Sequence, residues 1–290
     1  MQIMNQVVEK TVAAVQMDMG GFPIHQALPA GGLDHIDPFL LLHHGKIDVK
    51  AGSAALHSGV GPHPHRGFSA VSILVGGEVH HRDSLGNSSV VGAGGVQWVQ
   101  SGRGIVHSER PSEELAVKGG SMELIQLWIN TPASQKMAPA AYFAVKANEI
   151  KKVSLAEDAE MHLISGEYAG ESGNIPPQSP LLLSRIRAGK GASFSLSLNN
   201  SFSTALYLIS GSARLKGHGM LEAKHLYALR EGIDAIELAD IENLDLLLMS
   251  GKALDEPLAT YGPFVMNNQT QIMEAMRDYQ MGKMGVLIEE

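Results

Sequence analysis

Two short segments carry the side chains best suited to chemistry. Residues 63–65 read His-Pro-His, and residues 107–109 read His-Ser-Glu. Each segment places two donors at positions i and i+2, which project from the same face of a β-strand. Three imidazoles and one carboxylate suit a divalent transition metal. The spacing therefore predicts one metal ion inside a β-barrel, bound by His63, His65, His107 and Glu109.

The alternative is that these histidines only form hydrogen bonds or lie at the surface. The chain has 13 histidines, so some can lie close together by chance. Residues 43–44 and 80–81 are adjacent histidine pairs, whose side chains point to opposite faces of a strand, so at most one of each pair can reach a shared ion. Two i, i+2 pairs favour the metal site.

Composition excludes several other classes of function. The chain has 290 residues, no cysteine and a formal net charge of −8. This length predicts two domains, and the scattered basic residues argue against nucleic-acid binding. Without cysteine, a metal must be held by nitrogen and oxygen donors. No leader-like start and no apolar run of about 18 residues are present, so we expect a cytoplasmic protein without membrane contact.

Short apolar or alternating runs separated by turn residues dominate the chain, which predicts an all-β protein. The predicted strands lie at residues 39–43, 69–75, 96–100, 124–130, 181–187, 205–210, 233–238 and 244–249.

The two halves of the chain show one weak repeat. Residues 70–79 align with residues 205–214, each a strand leading into a glycine turn, although any two hairpins resemble each other over ten residues. In this alignment His63 and His65 correspond to Leu198 and Asn200, and residues 107–109 fall near residues 236–238. The second half is therefore predicted to lack a metal.

The C-terminal region predicts one amphipathic helix. Asn268 and Gln271 form a candidate N-cap and capping box, and Gly282 closes the segment. The apolar side chains Ile272, Met273, Met276 and Tyr279 follow at helical spacing and should dock on a β-domain. We expect truncation before Asn268 to lower stability without changing the metal content.

Four blocks of the sequence resemble the pirin family of the cupin superfamily. They are GPHPHRGF at 61–68, GEVHHRDSLGN at 77–87, QW at 97–98 followed by SGRGIVHSE at 101–109, and YGPFVMN at 261–267. The resemblance implies a bicupin of two double-stranded β-helix (jelly-roll) barrels with a C-terminal helix. Its predicted parts are a metal-binding cupin domain at 1–135, a cupin domain without metal at 136–265, and a helix and tail at 266–290.

The resemblance also implies a metal and a reaction. Pirins hold a metal, usually Fe, through residues that match His63, His65, His107 and Glu109. Fe(II) is the first choice, with Mn, Co, Ni, Cu or Zn as alternatives. Some pirins cleave flavonols such as quercetin with O₂, in which case Glu109 would be both ligand and catalytic base. The alternatives are a metal- and redox-dependent regulatory protein that acts through protein partners, and a purely structural metal.

A few further residues carry secondary expectations. Ser69 stands where pirins commonly have a glutamate, which leaves open whether a hydrogen bond near the metal is lost. Phe68 and Trp98 are candidates for a substrate pocket, with core packing as the favoured alternative. Arg66 and Asp83 are expected to pair with each other near the site.

Overall fold

The computed structural model describes residues 6–19 and 22–289, which are mostly β-strand. Its contacts divide the chain into two compact units. The first unit comprises Gln16–Ile24, Leu41–Glu149 and Leu254–Glu290, and the second comprises Met1–Val15, His25–Leu40 and Ile150–Ala253. Within the described residues, no helix is long and apolar enough to cross a membrane.

The first half of the chain contains these strands: β1 (Val8–Ala13), β2 (Val15–Asp18), β3 (Pro23–Leu28), β4 (Phe39–Val49), β5 (Val60–His65), β6 (Phe68–Gly76), β7 (Glu78–Asp83), β8 (Ser88–Gly92), β9 (Val96–Gln100), β10 (Ile105–Pro111), β11 (Gly120–Asn130) and β12 (Ala141–Val145). The second half contains β13 (Lys151–Ala156), β14 (Ala159–Ser165), β15 (Glu167–Tyr168), β16 (Glu171–Ser172), β17 (Leu181–Ala188), β18 (Phe194–Ser197), β19 (Ser203–Leu215), β20 (Gly219–Leu221), β21 (His225–Leu229), β22 (Ala235–Gly251), β23 (Ala259–Tyr261) and β24 (Phe264–Met266). The helices are a 3₁₀ turn (Ser53–His57), α1 (Glu113–Lys118) and α2 (Gln269–Gln280).

The first unit is built on two antiparallel sheets. One contains β12-β9-β6-β11-β4 in that order, and the other is β5-β10-β7-β8. The C-terminal segment packs on this unit, because Val106 of β10 shares an apolar cluster with Phe264, Ile272, Ala275 and Met284. The predicted domain division at residues 135 and 265 stays a prediction about independently folding parts.

The second unit is built on one large antiparallel sheet. Its order is β1-β21-β19-β22-β17-β14-β13, with β18 paired to β22 and β20 to β19. A dense apolar core fills it, including Leu163, Ile186, Leu196, Leu206 and Leu248. The predicted strands at 233–238 and 244–249 are one long strand, β22, which bends where Asp240 and Asn243 take positive φ values of 49°.

The predicted repeat stays a prediction, and two turn glycines of similar geometry offer a second way to align its halves. Gly77 follows β6 with φ 71°, and Gly211 lies in β19 with φ 80°. A Cβ atom on either glycine would lie 2.2 Å from a backbone carbonyl oxygen, that of Ser121 or Asn243. Matching these two glycines shifts the predicted alignment by one position, which exchanges the two faces of the strand.

Helix α2 begins as predicted. The Asn268 side chain accepts a hydrogen bond from the Gln271 backbone N–H at 3.0 Å, and the Gln271 side chain accepts one from the Asn267 N–H at 2.9 Å. The predicted apolar stripe is only partly right. Ile272 is buried, but Met273 is 70% exposed and Tyr279 is 40% exposed, while Ala275 takes the central buried position.

Candidate metal centre

Strands β5 and β10 form an antiparallel ribbon that carries all four predicted ligands. His63 lies directly opposite His107, and His65 lies opposite Ile105. The register shifts between His107 and Glu109, as in a β-bulge. The two i, i+2 pairs thus come from neighbouring strands, as the spacing predicted.

The structure brings the three imidazoles together. The ring centroids of His63 and His107 are 4.3 Å apart, those of His63 and His65 are 4.7 Å apart, and those of His65 and His107 are 4.9 Å apart. One candidate ligand nitrogen from each ring lies within 4.8 Å of the other two. His65 and His107 are buried, whereas His63 is partly exposed.

The hydrogen bonds around these rings fit a shared cation. His63 Nδ1 is 2.8 Å from the Gly61 carbonyl oxygen, which only accepts, so Nδ1 carries the proton and Nε2 has a free lone pair. That Nε2 faces Nε2 of His65 at 3.1 Å, so a proton or a cation must lie between them. Two nitrogens bound at right angles to one ion, at about 2.1 Å each, are about 3 Å apart. The donor set and its spacing therefore fit a divalent metal.

Burial keeps two of these imidazoles neutral. Burial, followed by the neighbouring imidazole of His63, lowers the pKa of His65 well below its ordinary value, against a smaller opposite effect of the Pro263 carbonyl. Burial, followed by the imidazoles of His63, His65 and His81, lowers the pKa of His107 in the same way. A metal ligand must be neutral, so both side chains are ready to bind near neutral pH.

Glu109 lies outside the close group of nitrogens and is held by two polar side chains. Ser72 Oγ donates to Glu109 Oε1, and Gln126 Nε2 donates to Oε2 at 2.9 Å. Ser72 on β6 and Gln126 on β11 are direct cross-strand partners, so one pair fixes both oxygens. The sequence analysis did not identify Ser72 or Gln126. The feature that could have identified them is a polar residue within each of two otherwise apolar strands.

Ser69 lies three positions before Ser72 on β6, so the two side chains point to opposite faces of the strand. Arg66 does not pair with Asp83; its guanidinium donates to Asp278 Oδ2 at 3.1 Å and to the Arg103 carbonyl at 2.6 Å.

Asp83 instead binds His81, and both are buried. His81 in turn lies 3.4 Å from His107, measured between the two Nδ1 atoms.

A cavity of about 520 Å³ opens beside Glu109 in the first unit. Its lining is largely apolar and includes Phe22, Ile24, Ile47, Met122 and Leu124, together with the polar side chains of His43, Asp48, Glu109 and Gln126. This volume is in the usual range for small-molecule sites.

Phe68 and Trp98 are not among the residues that line the cavity, and both are buried. Phe68 packs against Trp128 and His65, with ring centroids 4.3 Å and 5.0 Å away, so it is a core residue beside the imidazoles.

The chain matches the sequence models of Pirin over residues 21–129 and of the Pirin C-terminal cupin domain over residues 183–285. A Pseudomonas aeruginosa protein provisionally named a quercetin 2,3-dioxygenase is 36% identical over 266 residues, which are 91% of this chain and 92% of that protein. The crystal structure of an Acinetobacter baumannii quercetin 2,3-dioxygenase superposes with a TM-score of 0.91 at 33% identity, over 97% of this chain and 99% of that one.

A second similar structure, of an Escherichia coli pirin in complex with nickel(II), shares the fold with a TM-score of 0.67 at 17% identity, over 84% of this chain and 99% of that one. The predicted fold of two cupin barrels with one C-terminal helix is confirmed.

Proposed function

Because the chain belongs to the pirin family, we propose that it is a metal-dependent dioxygenase that cleaves a flavonol such as quercetin with O₂. One observation carries the proposal. Glu109 shares strand β10 with His107 of the imidazole group and also lines the 520 Å³ cavity. The proposed metal ligands and a cavity of a size that suits an organic molecule therefore meet at a single carboxylate.

In this proposal His63, His65, His107 and Glu109 hold the metal, with Fe(II) as the first choice. Bound by three neutral imidazoles and one carboxylate, the metal would supply Lewis-acid and redox chemistry for the reaction of a flavonol with O₂.

The chain's own residues would bind, orient and deprotonate the substrate. The apolar lining, with Phe22, Met122 and Leu124, suits flat aromatic rings and excludes water from them. Glu109 is the carboxylate placed to take the hydroxyl proton. Ser72 and Gln126 hold its two oxygens, so its orientation is set before the substrate enters.

The test combines metal analysis with O₂ uptake. Protein purified without added ions is analysed for metal, loaded with Fe(II) and given a panel of flavonols and catechols. We expect O₂ uptake with flavonols. Glu109→Gln should lose more rate than metal, because an amide can still offer an oxygen but cannot accept the proton. Glu123→Gln, a carboxylate paired with His44 at 2.9 Å on another part of the first unit, is the matched control and should keep both.

A metal-loaded protein that consumes no O₂ with any compound of the panel would contradict the dioxygenase proposal. Metal-dependent capture of a protein partner without turnover would then favour the regulatory alternative.

A further inference from the structure

Two side chains, His81 and Asp83, form a line behind His107, one of the proposed metal ligands. Strand β7 pairs with β10 on the side away from β5, with Asp83 opposite His107 and His81 opposite Glu109. His81 Nε2 is 3.0 Å from Asp83 Oδ2, and His81 Nδ1 is 3.4 Å from His107 Nδ1. His81 is fully buried, and the Tyr142 ring stacks on it with centroids 3.8 Å apart and planes 4° apart.

The end of this line is a fixed acceptor. Asp83 Oδ1 accepts hydrogen bonds from the backbone N–H groups of Leu85 and Asn87 at 2.9 and 3.0 Å, and Oδ2 accepts one from Asn87 Nδ2 at 2.8 Å. An ionised carboxylate only accepts, so the contact with His81 requires a proton on His81 Nε2.

The proton on His81 determines the protonation of His107. A neutral imidazole has one N–H, so His81 Nδ1 then has a free lone pair. The facing Nδ1 of His107 must carry the proton that points at it. His107 Nε2 is left with a bare lone pair, and it is a buried atom without a hydrogen-bond partner among the described residues. The separation of 3.4 Å is long for a hydrogen bond, so this contact by itself contributes little to the stability of the fold.

Resting on the metal site proposed above, we propose that His81 is a positioning residue of the metal centre. With Asp83 behind it, His81 holds His107 in the tautomer that offers Nε2 to the metal. His63 reaches the same tautomer through the backbone carbonyl of Gly61, which no substitution removes. The orientation of His107 instead depends on two side chains. Outer partners of metal-bound histidines typically contribute a factor of about 10–100 to metal affinity.

The first test is Asp83→Asn. The amide oxygen can still accept from the backbone N–H groups of Leu85 and Asn87. The amide nitrogen takes the place of Oδ2, so it donates to His81 Nε2 and no longer accepts from Asn87 Nδ2. His81 then carries its proton on Nδ1, so the N–H groups of His81 and His107 face each other and cannot form a hydrogen bond. We expect the affinity for Zn²⁺ or Mn²⁺, measured by competition with a chelator, to fall about 10–100-fold. Glu123→Gln, which alters the partly buried His44–Glu123 pair in the same unit, should stay within about twofold.

A second pair of variants separates positioning from packing. In His81→Asn the amide oxygen takes the place of Nδ1 and can accept from His107, whereas His81→Leu fills similar space without an acceptor. Metal affinity should fall in the order wild type, His81→Asn, His81→Leu. Equal losses in both His81 variants would overturn the positioning role.

A spectroscopic readout needs no variant. Long-range ¹H–¹⁵N correlation of the histidine rings in the metal-free full-length protein should place the proton of His107 on Nδ1 and that of His81 on Nε2. A proton on Nε2 of His107, or an Asp83→Asn protein that binds metal within twofold of wild type, would overturn the inference. A wild-type protein that shows these tautomers and yet binds no metal would overturn the proposed function but leave this arrangement standing.

Discussion

The two units use the same kind of antiparallel ribbon with opposite chemistry. In the first unit β5 pairs with β10, and His63 faces His107 across the ribbon. In the second unit β18 pairs with β22, and Leu196 faces Ile236 while Phe194 faces Leu238. The second ribbon is part of a continuous apolar core. The comparison shows that the backbone scaffold alone does not specify a metal site.

The first ribbon needs additional partners that the second does not. Each buried polar group of the site must be hydrogen-bonded or bind a ligand, because an unpaired one costs about 1–3 kcal/mol. Ser72, Gln126, His81 and Asp83 supply these partners. When Gly77 is aligned with Gly211, Ser72 corresponds to Leu206, a residue of the second unit's core. At this position the second unit has an apolar core residue where the first unit has a hydrogen-bond donor to Glu109.

The largest expected difference between the units concerns metal binding. His107→Ala removes one of three imidazoles and should lower metal affinity by at least roughly 100-fold, because losing a ligand costs more than losing its partner. His225→Ala in the second unit is the control and should bind metal like wild type. Elemental analysis of the metal-to-protein ratio in the two variants measures this difference. Full stoichiometry in His107→Ala would refute the assignment.

The reverse change tests the second unit. Leu248 is fully buried in its core, so Leu248→Ala should lower the free energy of unfolding by about 2–5 kcal/mol. Metal affinity of the folded fraction should be unchanged. Denaturant unfolding and chelator competition on the same sample provide both values, and a parallel loss of metal affinity would break the division of roles.

A smaller effect is expected at the C-terminal segment. The Arg66 guanidinium, directly after His65, is 3% exposed and bonds to Asp278 on α2. Asp278→Asn should lower the free energy of unfolding by about 1.5–3 kcal/mol, because a hydrogen bond to a buried charge loses its ionic partner. The control is Asp240→Asn, which removes the exposed ion pair with Arg214 in the second unit. It should change the free energy of unfolding by less than about 0.5 kcal/mol. Equal changes in the free energy of unfolding in the two variants would contradict the larger effect expected at the buried Arg66 guanidinium.

The most gradual effect is that of pH on the metal-free protein. Burial lowers the pKa of His43 to about 4, and it lowers the pKa values of His65 and His107 as well. The unfolded chain takes up these protons near pH 6.5, whereas the folded chain does not, so stability is complete above pH 6.5 and falls as the pH drops. Urea unfolding at pH 7.5, 6.5 and 5.5 should show this decline. It should be shallower in His43→Leu, and a flat profile would contradict the buried neutral state.

The lowered pKa values also bear on how protons compete with the metal for the imidazoles. Free imidazoles would lose metal to protons below about pH 6. With the pKa values of His65 and His107 lowered by burial, proton competition should begin at a lower pH.

The sequence predicted what depends on local spacing. The i, i+2 pairs, the β-strands and the N-cap of α2 follow from periodicity and from short-range hydrogen bonding. It did not predict what depends on long-range pairing. Arg66 finds Asp278 more than 200 residues away, and Gln126 meets Glu109 only because β11 pairs with β6 opposite Ser72.

Position along a helix was also insufficient to predict burial. Met273 has the apolar character expected of a core residue, yet it faces solvent, because the surface under α2 accepts Ile272 and Ala275. The same segment packs on Val106 of β10, so its loss should lower the free energy of unfolding. The unchanged metal content of the folded fraction stays a prediction.

The most direct test of the central claim is an anomalous diffraction map of crystals grown with Mn²⁺ or Co²⁺. The account predicts one strong peak per chain, in the first unit, within bonding distance of Nε2 of His63, His65 and His107 and of a Glu109 carboxylate oxygen. A peak in the second unit, or a first-unit peak away from these imidazoles, would contradict it.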